Sequence, residues 1–203
     1  MRALLLVALS VFPTIGVVMA QETPKGEMFV GYSYAKADFT GAGQQATSLN
    51  GWDASVAGNV SRWLGVVADF SGHYGSPQFQ LPIPPGIPCP PDCLPALFLN
   101  TRAHEFLFGP QLSYRTEKIT PFAHTLFGAS HVTESVSIPF PVPAPPISIS
   151  TSQTGFAMVL GGGLDYNLTG RLAWRAQTDY LMTRLFNHTQ NNFRFSTGIV
   201  FRF

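Results

Sequence analysis

The sequence predicts an all-β fold, an eight-stranded antiparallel up-and-down barrel that crosses a membrane with its strands. Three observations predict it: long segments that alternate with period two, connections that alternate short and long, and a charge-poor composition without spanning helices. Charged residues make up 11 % of the 203 residues, apolar ones 45 %, and phenylalanine alone occurs 17 times. A soluble domain carries about 25 % charged residues. After the first 20 positions there is no apolar run of the roughly 20 residues that a spanning helix needs. Such a chain is either a soluble β protein with a large core or a barrel wetted by lipid.

Met1 to Ala20 read as a secretory signal peptide: Arg2 opens it, Ala3 to Val18 form its apolar stretch, and Val18-Met19-Ala20 offers a small-x-small cleavage site. Residues 21–203 are then the mature barrel. No cysteine follows the cleavage site, which argues against a lipoprotein. Without Arg2 the chain keeps 11 basic and 11 acidic side chains. That balance argues against nucleic acid as a partner, because phosphate binding needs a clustered basic surface.

Successive strand side chains point to opposite faces, and the C-terminal run obeys this most clearly. Phe193, Phe195, Thr197, Ile199, Phe201 and Phe203 share one face, opposite Arg194, Ser196, Gly198, Val200 and Arg202. One segment earlier, Leu172, Trp174, Ala176, Thr178, Tyr180 and Met182 oppose Arg171, Ala173, Arg175, Gln177, Asp179 and Thr183. From Gly155 to Tyr166, Phe156, Met158, Leu160, Leu164 and Tyr166 oppose Ala157, Val159, Gly161, Gly163 and Asp165. Phe106, Phe108, Leu112 and Tyr114 oppose Glu105, Gln111 and Ser113. Leu64, Val66, Ala68 and Phe70 oppose Gly65, Asp69, Ser71 and His73, and Trp52, Ala54, Val56 and Val60 oppose Asp53, Ser55 and Asn59. Residues 28–38 and 119–132 complete the eight strands, with a phase that alternation leaves open.

Short links are expected near Val60–Arg62, Thr116–Lys118 and Asn167–Gly170, and long ones near Phe39–Ser48, Gly75–Asn100, Ser135–Ser150 and Leu185–Gln190. Short turns on one side, long loops on the other and an even strand number form the pattern of a Gram-negative outer-membrane barrel. Periodicity cannot distinguish apolar-in from apolar-out, but four features favour lipid outside. Strands of about 11 to 13 residues exceed the five or six of globular sheets. Trp63, Tyr114, Tyr166, Trp174, Phe201 and Phe203 gather near one rim, and Tyr32, Tyr34, Tyr74 and Tyr180 near the other, as headgroup girdles do. Asp69, Glu105, Asp165 and Asp179 face inward with Arg175, Arg194 and Arg202, and an eight-strand interior is filled by side chains. Counting from the short turns sets Asp179 beside Arg194, and Asp165 beside Arg175 lower down.

The fourth feature is the terminal strand itself. Phe195, Ile199, Phe201 and Phe203, together with Gly161-Gly162-Gly163-Leu164-Asp165-Tyr166, Trp174-Arg175 and Asp179-Tyr180, resemble the last hairpins of the small outer-membrane β-barrel family. That family includes the OmpA-like transmembrane domain and OmpX-type barrels. The resemblance implies that the terminal aromatic signal engages the barrel assembly machinery, and it implies roles in envelope integrity or adhesion. No peptidoglycan-binding domain is seen after the barrel.

Cys89 and Cys93 lie in Cys-Pro-Pro-Asp-Cys within the second long link. An oxidising compartment favours a disulfide between them, which stabilises little because its loop is short. A metal site needs two further ligands, and none is nearby. Eight prolines between Pro77 and Pro95, and five between Pro139 and Pro146, interleave with apolar residues. They suit polyproline-like segments and contact with a protein or lipopolysaccharide. Among the histidines, only His131 adjoins a serine, and no Gly-x-Ser-x-Gly elbow exists. The expectation is a monomeric, non-enzymatic barrel without cofactor, set in outer-membrane lipid and lipopolysaccharide. Its rivals are an enzyme acting on lipid A or phospholipid, and a soluble periplasmic lipid carrier with Phe193, Phe195 and Ile199 inside.

Overall fold

The computed structural model describes residues 24–37, 47–76, 78–80, 96–138, 147–185 and 188–203. The signal peptide, Cys89, Cys93 and the proline runs up to Pro95 and at 139–146 lie outside the described residues. Nine strands form: β1 (Gly26–Ala37), β2 (Thr47–Asn59), β3 (Leu64–Gly75), β4 (Gln78–Gln80), β5 (Ala96–Ser113), β6 (Ile119–Ile138), β7 (Ile147–Asn167), β8 (Leu172–Leu185) and β9 (His188–Arg202). All neighbours pair antiparallel in the order β3-β2-β1-β9-β8-β7-β6-β5, and a β3–β5 ladder closes the ring. Eight strands make the wall, while β4 adds a short ribbon to the end of β5.

Following paired residues around the ring defines its size. Met28 faces Val56, then Ala68, Phe108, Phe127, Met158, Met182 and Asn191. Asn191 lies two residues before Phe193, which faces Lys36 on β1. The circuit therefore returns ten residues above its start. With eight strands, that stagger sets a tilt of about 40° and a backbone radius of about 8 Å. Side chains alone fill such a bore. The first and last strands meet along ten residue pairs, and Gly26 and Phe203 exchange two backbone hydrogen bonds of 3.0 Å.

The apolar faces point outward. Phe108 is 64 % exposed, Leu160 58 % and Val66 55 %, whereas Arg194 and Asp53 are fully buried. A soluble barrel would show the reverse, so this wall is built for acyl chains, and the apolar-in carrier is excluded. On β5 the outward face from Tyr114 to His104 rises about 25 Å, at about 2.5 Å per tilted residue, which matches an outer-membrane apolar band. Trp63, Tyr114, Tyr166, Trp174 and Phe203 ring the short-turn rim, and Tyr32, Trp52, Tyr74 and Tyr180 ring the other, all exposed.

The two open phases are now settled. β1 turns Glu27, Phe29, Ser33 and Ala35 inward, and β6 turns Thr120, Phe122, His124, Leu126, Ser130 and Val132 inward. Both inner faces carry large apolar groups, which is why alternation did not resolve them. Strands β5, β6 and β7 have 18, 20 and 21 residues, longer than the expected 11 to 13. Their ladder runs on to Ile138↔Ile147, so the third link is shorter than Ser135–Ser150. The last link is also short, because Leu185 already pairs with His188. The β5–β6 ladder lapses at Gly109 and Pro110, since proline has no amide to donate.

Candidate functional site

The inward faces assemble two polar layers in an interior that also holds apolar side chains. The upper layer centres on Arg194, carried by β9. Its Nη1 donates to Asp69 Oδ1 at 2.9 Å and to Ser71 Oγ at 3.0 Å, and its Nε donates to Asp179 Oδ2 at 2.8 Å. Asp179 is the register partner of Arg194, whereas Asp69 reaches it across the bore from β3. His124 Nε2 lies 2.8 Å from the other Asp179 oxygen. Glu105 accepts from Ser71 Oγ at 2.8 Å and lies 3.1 Å from His73 Nδ1. Asp53 Oδ2 accepts from Gln177 Nε2 at 3.0 Å.

The lower layer sits toward the short turns. Arg175 donates through Nε and Nη2 to both oxygens of Asp165, at 2.6 and 2.9 Å. Its guanidinium lies over the Phe122 ring at 4.3 Å and the Phe29 ring at 5.4 Å. A planar cation between two aromatic faces is held in place and sheltered. Arg202 donates to Asp165 Oδ2 at 2.9 Å and to Asn167 Oδ1 at 2.6 Å, and Arg115 donates to Glu27 Oε1 at 2.7 Å. Ala57, Val67, Leu107, Leu126, Ala157, Val159 and Leu181 form one buried apolar cluster in the same interior.

Glycines on β7 make room for the ion pairs. A methyl group on Gly161 would stand 1.9 Å from Asp179 Oδ1, and one on Gly163 would stand 2.8 Å from Gln177 Cβ. Gly161 and Gly163 thus keep the inner wall thin beside β8.

Of the residues singled out from sequence, Asp69, Asp179 and Arg194 meet in the upper layer, and Asp165, Arg175 and Arg202 in the lower. Glu105 pairs with a histidine and a serine. Phe195, Ile199 and Phe201 lie along the outer face of β9, and Phe203 follows it, exposed. Sequence reasoning missed Glu27, Asp53, His73, Arg115 and His124 as members of the layers. Glu27 and His124 would have followed from the phases of β1 and β6; Arg115 follows a strand and curls back inside, which no periodicity reports.

Ser33 Oγ lies 2.9 Å from His73 Nε2, so Ser33, His73 and Glu105 stand in nucleophile–base–acid order. Reactivity needs access and an oxyanion site. Ser33 is fully buried, and its hydroxyl also lies 2.9 Å from Ser196 Oγ. It sits mid-strand, where backbone amides serve the ladders. The cavity above it measures about 30 Å³ and is lined by Ala35, Leu49, Val132 and Leu185 beside His73 and Glu105. That volume suits a single water.

No protein-family model and no curated protein matches this chain. Solved structures do match in shape. Ail, the attachment invasion locus protein of Yersinia pestis, superposes with a TM-score of 0.58 at 17 % identity, over 88 % of this chain and 99 % of that one. Neisserial surface protein A superposes with a TM-score of 0.51 at 14 % identity, over 88 % and 97 %. The fold is that of the small outer-membrane β-barrels. Within that architecture, this barrel's closed ring, outward apolar band and ion-paired bore form one consistent arrangement.

Proposed function

We propose that the chain is a non-enzymatic, monomeric barrel of the Gram-negative outer membrane, with a lumen that passes no solute and a loop-side end devoted to surface contact. The carrying observation is the filled bore, where Arg194 is fully enclosed by Asp69, Asp179 and Ser71. A ring without an open strand edge along its wall has no need of a second copy. Outer-membrane lipid and lipopolysaccharide cover the wall, and β9 with Phe203 presents the signal to the assembly machinery.

Surface contact is supported at the opposite rim. On β6 the strand continues seven residues from His131 to Ile138, about 17 Å above the apolar band. Beside it, Ile147–Ser152 of β7 precede the first residue that pairs with β8, Phe156. An extended edge above a membrane is a site where another chain adds a strand. Ail, similar in fold, carries attachment and invasion in its name and was also solved with the heparin analogue sucrose octasulfate.

Purified protein in planar bilayers should give no steady conductance, and a fluorophosphonate probe should leave Ser33 unlabelled. Cells whose segments 81–95 and 139–146 are replaced by Gly-Ser linkers should adhere less to heparin-coated surfaces, with equal barrel levels. Unchanged adherence would refute the contact role, and labelling of Ser33 would refute the non-enzymatic one.

A further inference from the structure

At the short-turn end the bore opens into a bowl of about 1300 Å³. Lys25, Arg62, Arg115, Arg171 and Arg202 line it, and Glu117 is the one acidic side chain among the described lining residues. Arg115 and Arg202 are committed to Glu27 and Asp165 beneath the floor. Lys25, Arg62 and Arg171 are exposed and their side chains form no ion pair among the described residues. The bowl therefore keeps an excess of positive charge in a concave mouth, where low-dielectric walls strengthen its field.

A second observation points to a ligand. Thr120 lines the same bowl and is only 2 % exposed, yet its Oγ1 has no hydrogen-bond partner among the described residues. The Nε atoms of Arg115 and Arg202 share that condition. Buried hydroxyls and guanidinium edges are ordinarily satisfied, so the floor of this bowl has unspent donors beneath free cations. Oxygen-rich anions meet both needs, since guanidinium forks and hydroxyls bind phosphate oxygens.

We propose that the short-turn bowl binds a phosphate-bearing anion, with Lys25, Arg62 and Arg171 supplying charge and Thr120 a floor donor. Two sources share this chemistry: a soluble phosphate compound, or the headgroup of a phospholipid in the leaflet bordering the rim. The bowl lies at the end remote from the segments assigned to surface contact, so the two readings stand or fall separately.

Inorganic pyrophosphate titrated calorimetrically into the full barrel, refolded in uncharged detergent, tests the site. One equivalent should bind, more weakly as salt rises. The triple variant Lys25→Gln, Arg62→Gln, Arg171→Gln should lose at least tenfold in affinity, and Thr120→Val should lose severalfold. The variant Lys36→Gln, Arg102→Gln, Arg184→Gln, altered at the opposite rim, should bind as the parent does. Heat-modifiable migration verifies that each variant is folded. No binding, or equal loss in both triple variants, would overturn the proposal. Nanodiscs separate the sources: weaker pyrophosphate binding in phosphatidylglycerol than in phosphatidylcholine assigns the bowl to a headgroup, and equal binding assigns it to a soluble anion.

Discussion

Replacing Arg194 with leucine removes the guanidinium at the centre of the upper layer. In the parent its guanidinium satisfies Asp69 and Asp179 and donates to Ser71, all of them buried. The variant leaves two carboxylates enclosed beside a third, Asp53, without the charge that held them. Breaking one buried pair from one side costs about 3–5 kcal/mol. Both pairs share a single guanidinium, and contacts sharing one group do not add, so about 4–6 kcal/mol is expected. With a denaturant slope of about 2 kcal/mol per molar urea, the midpoint should fall by about 2–3 M. Tryptophan fluorescence in detergent reads the transition directly, because Trp52, Trp63 and Trp174 face the apolar phase and enter water on unfolding. Removing the stranded charges as well, with Asp69→Asn and Asp179→Asn, should recover much of the loss. A midpoint within about 0.5 M of the parent, a difference of about 1 kcal/mol at that slope, would refute the electrostatic account of the lumen.

Two further outcomes follow from geometry. Phe108→Arg places a cation near mid-height of the lipid face, where Phe108 is 64 % exposed; it should destabilise by about 2–4 kcal/mol in bilayers, measured by urea titration of the protein in lipid vesicles. Gly161→Ala drives a methyl into Asp179; overpacking of this kind costs about 1–3 kcal/mol, whereas Gly58→Ala, with nothing within 4 Å, should unfold close to the parent.

The fold was legible where inner and outer faces differ in polarity. In β9, arginine, serine and glycine alternate with phenylalanine and isoleucine, and the structure turns them as the alternation implies. Legibility failed for β1 and β6, whose inner faces carry Phe29, Phe122 and Leu126, so that alternation in polarity did not set their phase. Phe29 and Phe122 clamp Arg175 and Leu126 joins the buried apolar cluster, roles set by residues distant in sequence. The same contrast governs the site. Asp165 faces Arg175 and Asp179 faces Arg194 on adjoining strands, distances that counting from a turn reveals. The bond from Arg194 to Asp69 spans 125 residues across the bore, and only closure of the ring brings it about. Strand ends were misjudged because serine, threonine and isoleucine prolong the β6–β7 ladder without an apolar belt to mark it.

The seam between β1 and β9 carries a kinetic implication. Its ten pairs join the earliest and latest parts of the cylinder, so no intermediate lacking β9 has a sealed circumference. Until that final zippering, two raw edges and a greasy exterior are open to any neighbouring chain, a hazard of strongly non-local topologies. Closure of this one seam therefore removes both edges at once, and the hoop becomes whole only when its first and last staves meet.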